Sequence, residues 1–66
     1  MNTTTRNLEA LLFAAGKPMS KKKLSQVLLV DDEGLRAALD EATSHLNTEG
    51  SGVHVFESDQ DVALVT

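Results

Sequence analysis

Three helices followed by a two-stranded β-hairpin, a mostly α-helical fold class, is what this 66-residue sequence predicts. Three observations lead there. Apolar residues recur at helical spacing in three successive segments up to Asn47. Glycines and small polar residues break that pattern over Thr48–Gly52, and two runs rich in β-branched residues follow.

The first helix spans about Thr5 to Ala15, with Leu8, Leu11, Leu12 and Ala15 at i, i+3, i+4 and i+7 on one face. Gly16 suits the left-handed position that ends a helix, and Pro18 prevents continuation. Ala10 to Ala15 is apolar on every side, and Phe13 projects nearly opposite the main stripe, so this helix needs a second cover: the hairpin or a partner chain. Ser20 is a good N-cap for a second helix of about two turns through Leu24, Val27 and Leu28. Lys21, Lys22 and Lys23 occupy its first turn, where the helix dipole disfavours positive charge. Lys23 also stands where a capping box places Glu, and this misfit points to another use for the lysines.

Asp31 or Asp32 caps a third, longer helix through about Asn47. Leu35, Leu39, Ala42 and Leu46 form its stripe with Ala38 beside it; Glu33 agrees with the dipole, while Gly34 weakens the first turn. Val53–Glu57 and Val62–Thr66 read as strands joined by Ser58-Asp59-Gln60-Asp61, a connection without glycine. An isolated hairpin is marginal, so its apolar face must lie on the helices. This order, α-α-α-β-β, is that of a winged helix-turn-helix, the hairpin being the wing. Residues 1–66 form one such domain.

Bulk properties narrow the function. A single core of this size seldom yields more than about 3–5 kcal/mol without a staple. The chain has no cysteine, hence no disulfide and no thiolate ligand, and only two aromatics, Phe13 and Phe56. Oligomerisation is a natural remedy. The polar start and the short apolar stretch before Gly16 fit neither a signal peptide nor a membrane span, which predicts a soluble protein without membrane association, and the lack of cysteine is compatible with a reducing, cytoplasmic setting. Net charge is −4, unevenly spread: residues 1–23 hold five bases against one acid, residues 24–66 one base against nine acids. Such a chain is a poor general DNA binder, because phosphate neutralisation drives that affinity.

Each candidate site also has a plainer role. A groove-reading third helix offers Arg, Lys, Asn or Gln to base edges. Here its polar side presents Glu33, Arg36, Asp40, Glu41, Thr43, Ser44 and Asn47, one base against three acids. Lys21, Lys22 and Lys23 are the candidate phosphate contacts of the alternative reading, a DNA-binding transcriptional regulator; the plainer role is a solvated helix start. His45 and His54 stand alone, and neither Asp31-Asp32-Glu33 nor Asp59-x-Asp61 has the further ligands of a calcium loop. With no nucleophile–base pairing and no phosphate-cradling loop, neither enzymatic activity, metal nor cofactor is expected. The apolar surplus remains: Phe13, Leu29, Val30, Phe56 and Val62 are candidates for a protein interface, each with completion of the core as its plainer role.

The run Leu8-Glu9-Ala10-Leu11-Leu12-Phe13-Ala14-Ala15-Gly16-Lys17-Pro18-Met19-Ser20 resembles the opening of the segregation and condensation protein B family. Leu24 agrees with a leucine of that family's second helix, Gly52-Val53-His54-Val55 resembles its entry into the wing, and Leu64-Val65-Thr66 matches the end of its second wing strand. Lys21-Lys22-Lys23 departs from a commonly acidic segment, and Asp59-Gln60-Asp61-Val62 from a glycine-containing turn and an aromatic. The family has a second winged-helix domain that nothing here matches, so the chain is expected to be a piece of a longer two-domain protein. The resemblance implies an accessory subunit of a bacterial condensin-like complex, nucleoid-associated, acting in chromosome condensation and segregation during the cell cycle. Implied partners are a second copy (homodimer), a kleisin subunit and, through it, the structural-maintenance-of-chromosomes (SMC) ATPase that does the chemistry. DNA is then met only indirectly or weakly.

Overall fold

In a computed structural model describing residues 2–66, every helix begins at a side chain able to accept an orphan backbone hydrogen bond. Asn2 caps α1 (Thr3–Ala15) through Thr5 N–H at 2.9 Å, Ser20 caps α2 (Lys21–Leu28) through Lys23 N–H at 3.0 Å, and Asp31 caps α3 (Asp32–Leu46) through Gly34 N–H at 2.8 Å. Asp31, not Asp32, is thus the cap of α3. Gly16 ends α1 at φ 62°, as its freedom at positive φ allows. α2 ends differently: Leu29 itself adopts φ 57°, and the N–H groups of Leu29 and Val30 both close on Ser25 O. The turn into α3 is tight enough to explain Gly34, since a Cβ there would stand 3.0 Å from Val30 Cβ and 3.3 Å from Asp31 Oδ1.

The expected two-stranded hairpin is a three-stranded antiparallel sheet. β1 (Met19–Ser20), β2 (His54–Glu57) and β3 (Asp61–Val65) take the order β1-β3-β2. Met19 stands opposite Val62 and Ser20 opposite Asp61, while β2 and β3 align Val55 with Leu64 and Phe56 with Ala63. Two residues are too few to show period-two alternation, so β1 left no trace in the sequence pattern. The wing turn needs no glycine because Ser58 closes it: its N–H donates to Asp61 O at 2.9 Å, and Asp61 N–H donates to Ser58 Oγ at 3.2 Å. Lys21 N–H donates to Gln60 O at 2.8 Å, which fastens the start of α2 to that turn.

The core lies where the three helices meet the inner face of the sheet. Leu8 and Leu12 of α1, Leu24 of α2, and Leu35, Ala38, Leu39 and Ala42 of α3 pack with Val55 and Val62. Each fully buried leucine contributes about 1.5–3 kcal/mol of burial free energy. Asn47, expected on the solvent side of the third helix, instead binds the outer edge of β2. Its Nδ2 donates to Val55 O at 3.0 Å and its Oδ1 accepts from Val55 N–H at 2.6 Å. No helix is long and apolar enough to cross a membrane among the described residues.

Candidate protein-binding surfaces

Glu57 is the last residue of β2, within reach of α3 and of the first turn of α2. Arg36 of α3 donates to it from both terminal nitrogens, Nη1 to Oε2 at 2.5 Å and Nη2 to Oε1 at 2.7 Å. The Lys21 ammonium, brought in by the capped start of α2, lies 2.7 Å from Oε2. The bidentate fork of Arg36 holds the Glu57 carboxyl down at about 2; partial burial opposes this and the Lys21 bond assists it. The same bonds raise the Arg36 pKa further, and its Nε also donates to Asp40 at 3.1 Å.

Two consequences follow for nucleic-acid reading. Arg36 is the only arginine of α3, which has no lysine, and its guanidinium is committed to Glu57 and Asp40. Lys21, one of the three candidate phosphate contacts, serves Glu57, while Lys22 and Lys23 stay exposed. The first-turn lysine that conflicts with the helix dipole therefore has its use inside the fold. Glu41, read as solvent-facing, accepts from Asn2 N–H at 3.1 Å and ties α3 to the start of α1. His45 Nδ1 lies 3.0 Å from Glu9 Oε2, and His54 Nε2 lies 3.3 Å from Thr48 O. Among the described residues, no group of three His, Asp or Glu side chains converges as metal ligands.

The five apolar candidates go to different places. Val62 is 0% exposed and fills the core, because it alternates inward on the central strand; it is no surface residue. Val30 is half-buried beside the core at the α2–α3 turn. Phe13 is 73% exposed, on the last turn of α1 beside Val53, Leu64 and Thr66. Phe56 is 60% exposed on the outer face of the sheet, over Ala63 and next to Pro18. Leu29, at 89%, is the most exposed large apolar residue and stands apart at the end of α2.

Val65 and Val27, not among the five interface candidates, are also exposed, although Val27 belongs to the expected apolar side of the second helix. Val65 follows Ala63 by two and so shares the outer face with Phe56, a signal that strand alternation carries once the inward face is known. Phe13 on α1, Phe56 and Val65 on the outer sheet face, Val27 on α2 and Leu29 at its end are thus the exposed large apolar side chains of the described residues. A family model described as Segregation and condensation complex subunit ScpB matches residues 6–66. Comparison with curated proteins gives no match.

Proposed function

Because the chain belongs to the Segregation and condensation complex subunit ScpB family, we propose that it is a non-enzymatic accessory subunit of an SMC–kleisin complex. In this reading the domain self-associates and binds protein, and it acts in the cytoplasm at the nucleoid. The observation that carries the reading is the pairing of two exposed aromatics, Phe13 and Phe56, with a third helix whose only arginine is bound by acids. Aromatic side chains presented to solvent supply interface area, whereas an acidic helix repels phosphate.

Sedimentation equilibrium of the chain at micromolar concentrations tests the self-association. Twice the chain mass is expected, with Phe13→Asp and Phe56→Asp shifting the equilibrium toward monomer while helix content is kept. A monomer at every concentration overturns the homodimer. Binding to a kleisin polypeptide, measured by calorimetry with the same chain, tests the second half; no heat and no co-migration would remove it.

A further inference from the structure

α1 and α2 flank an open groove of about 590 Å³, with Ala10, Leu11 and Ala14 on one side and Val27, Leu28 and Leu29 on the other. Asn7 is its one polar lining residue. Two independent features mark this groove. Leu29 holds a left-handed backbone, φ 57° and ψ 46°, at a position where helices favour glycine, and the side chain gains no burial in return. The Leu29 and Val30 N–H groups bonded to Ser25 O hold that backbone, and the side chain it presents stands open to an external contact.

Charge is the second feature. The two helices and their link hold Arg6, Lys17, Lys21, Lys22 and Lys23 against a single acid, Glu9. Lys21 is bound to Glu57, and Glu9 faces His45 on α3. Arg6, Lys17, Lys22 and Lys23 are exposed and form no ion pair among the described residues. Arg6 precedes Ala10 by one helical turn and Lys23 precedes Val27 by one turn, so bases stand beside both walls. The rest of the molecule is acidic.

We infer that this groove receives an amphipathic helix of a partner polypeptide, its apolar stripe between α1 and α2 and its flanks acidic. Helix-in-groove docking uses apolar anchors at i, i+3 or i+4, and i+7, which an open apolar trough between two helices fits. A second copy is the poorer occupant: two-fold pairing through the groove sets each basic rim against itself. Duplex phosphates would meet the bases but leave the apolar floor unfilled. The inference rests on the protein-binding reading above, yet it uses a surface separate from Phe13 and Phe56.

The test is selection of a displayed library of 14-residue helical peptides on the whole chain. Leucines are fixed at i, i+4, i+7 and i+11, and the other positions vary among Glu, Lys and Gln. Enrichment of Glu over Lys is expected, and a selected peptide should perturb the amide resonances of Ala10, Ala14, Val27 and Leu29. Leu29→Asp, whose residue tolerates the left-handed backbone, should weaken that peptide at least tenfold, as should Val27→Glu. The double change Lys22→Glu with Lys23→Glu should remove the preference for Glu. Enrichment of Lys, equal enrichment of both, no enrichment, or resonance changes centred on Phe56 and Ala63 would each overturn the inference. Sedimentation of the same variants separates the two proposals: a monomeric parent chain speaks against self-association alone, and the peptide data decide the groove alone.

Discussion

Glu57 is the residue on which α2, α3 and the sheet converge, and its protonation is linked to stability. Its folded pKa, about 2, lies below the ordinary 4.5, so the carboxylate stabilises the fold above about pH 4.5. That contribution fades as pH falls toward 2, where the carboxyl is protonated folded or not. Solvent at the half-exposed Arg36 screens the pair, leaving about 1–2 kcal/mol of the shift's face value. Glu57→Gln should therefore lose about 1–2 kcal/mol at pH 7, the deficit narrowing between pH 4.5 and 2 in a denaturant series. A deficit independent of pH would show that the carboxylate's charge is not what matters. Asn47→Ala, which deletes two hydrogen bonds to Val55, should cost about 1–2 kcal/mol and speed amide exchange at Val55. Neither role was legible in the sequence. Both depend on partners eight or more residues away, brought near only when the wing folds back on α3.

At the scale of elements, what is local was legible and what is not local was not. Ser20, Asp31 and Gly16 announce helix ends because a cap is a matter of three or four neighbouring residues. Leucine carries no such signal at Leu29, and β1 is too short to have a period. Leu29→Gly should raise stability by about 0.5–1 kcal/mol, since relief of the left-handed strain outweighs the extra freedom of the unfolded chain. A lower melting temperature would mean that the α2 terminus is not strained. Gly34→Ala should do the opposite despite the better helix propensity of alanine, because the new Cβ meets the stem of Val30 at 3.0 Å. Stability equal to or above the parent's would show that Val30 yields easily.

For the whole molecule, the margin is thin. Leu24 is fully buried between the helices and the sheet, and Leu24→Ala should remove about 2–5 kcal/mol. That matches the total expected of so small a core, so circular dichroism should show the variant largely unfolded at 25 °C unless self-association rescues it. The interface candidates illustrate what a sequence withholds at this scale. Val55 and Phe56 are adjacent and both apolar, so the pattern alone does not say which faces the helices; packing against α3 turns Val55 in and leaves Phe56 out. The same choice, carried across the register to β3, hides Val62 and exposes Val65.

The Asn47 carboxamide has one more effect. It occupies the middle of the outer border of β2 with the two groups a newcomer's backbone would need. The opposite border is only the two-residue β1. Neither side can template an added ladder, which protects a marginal domain from fibrous self-propagation.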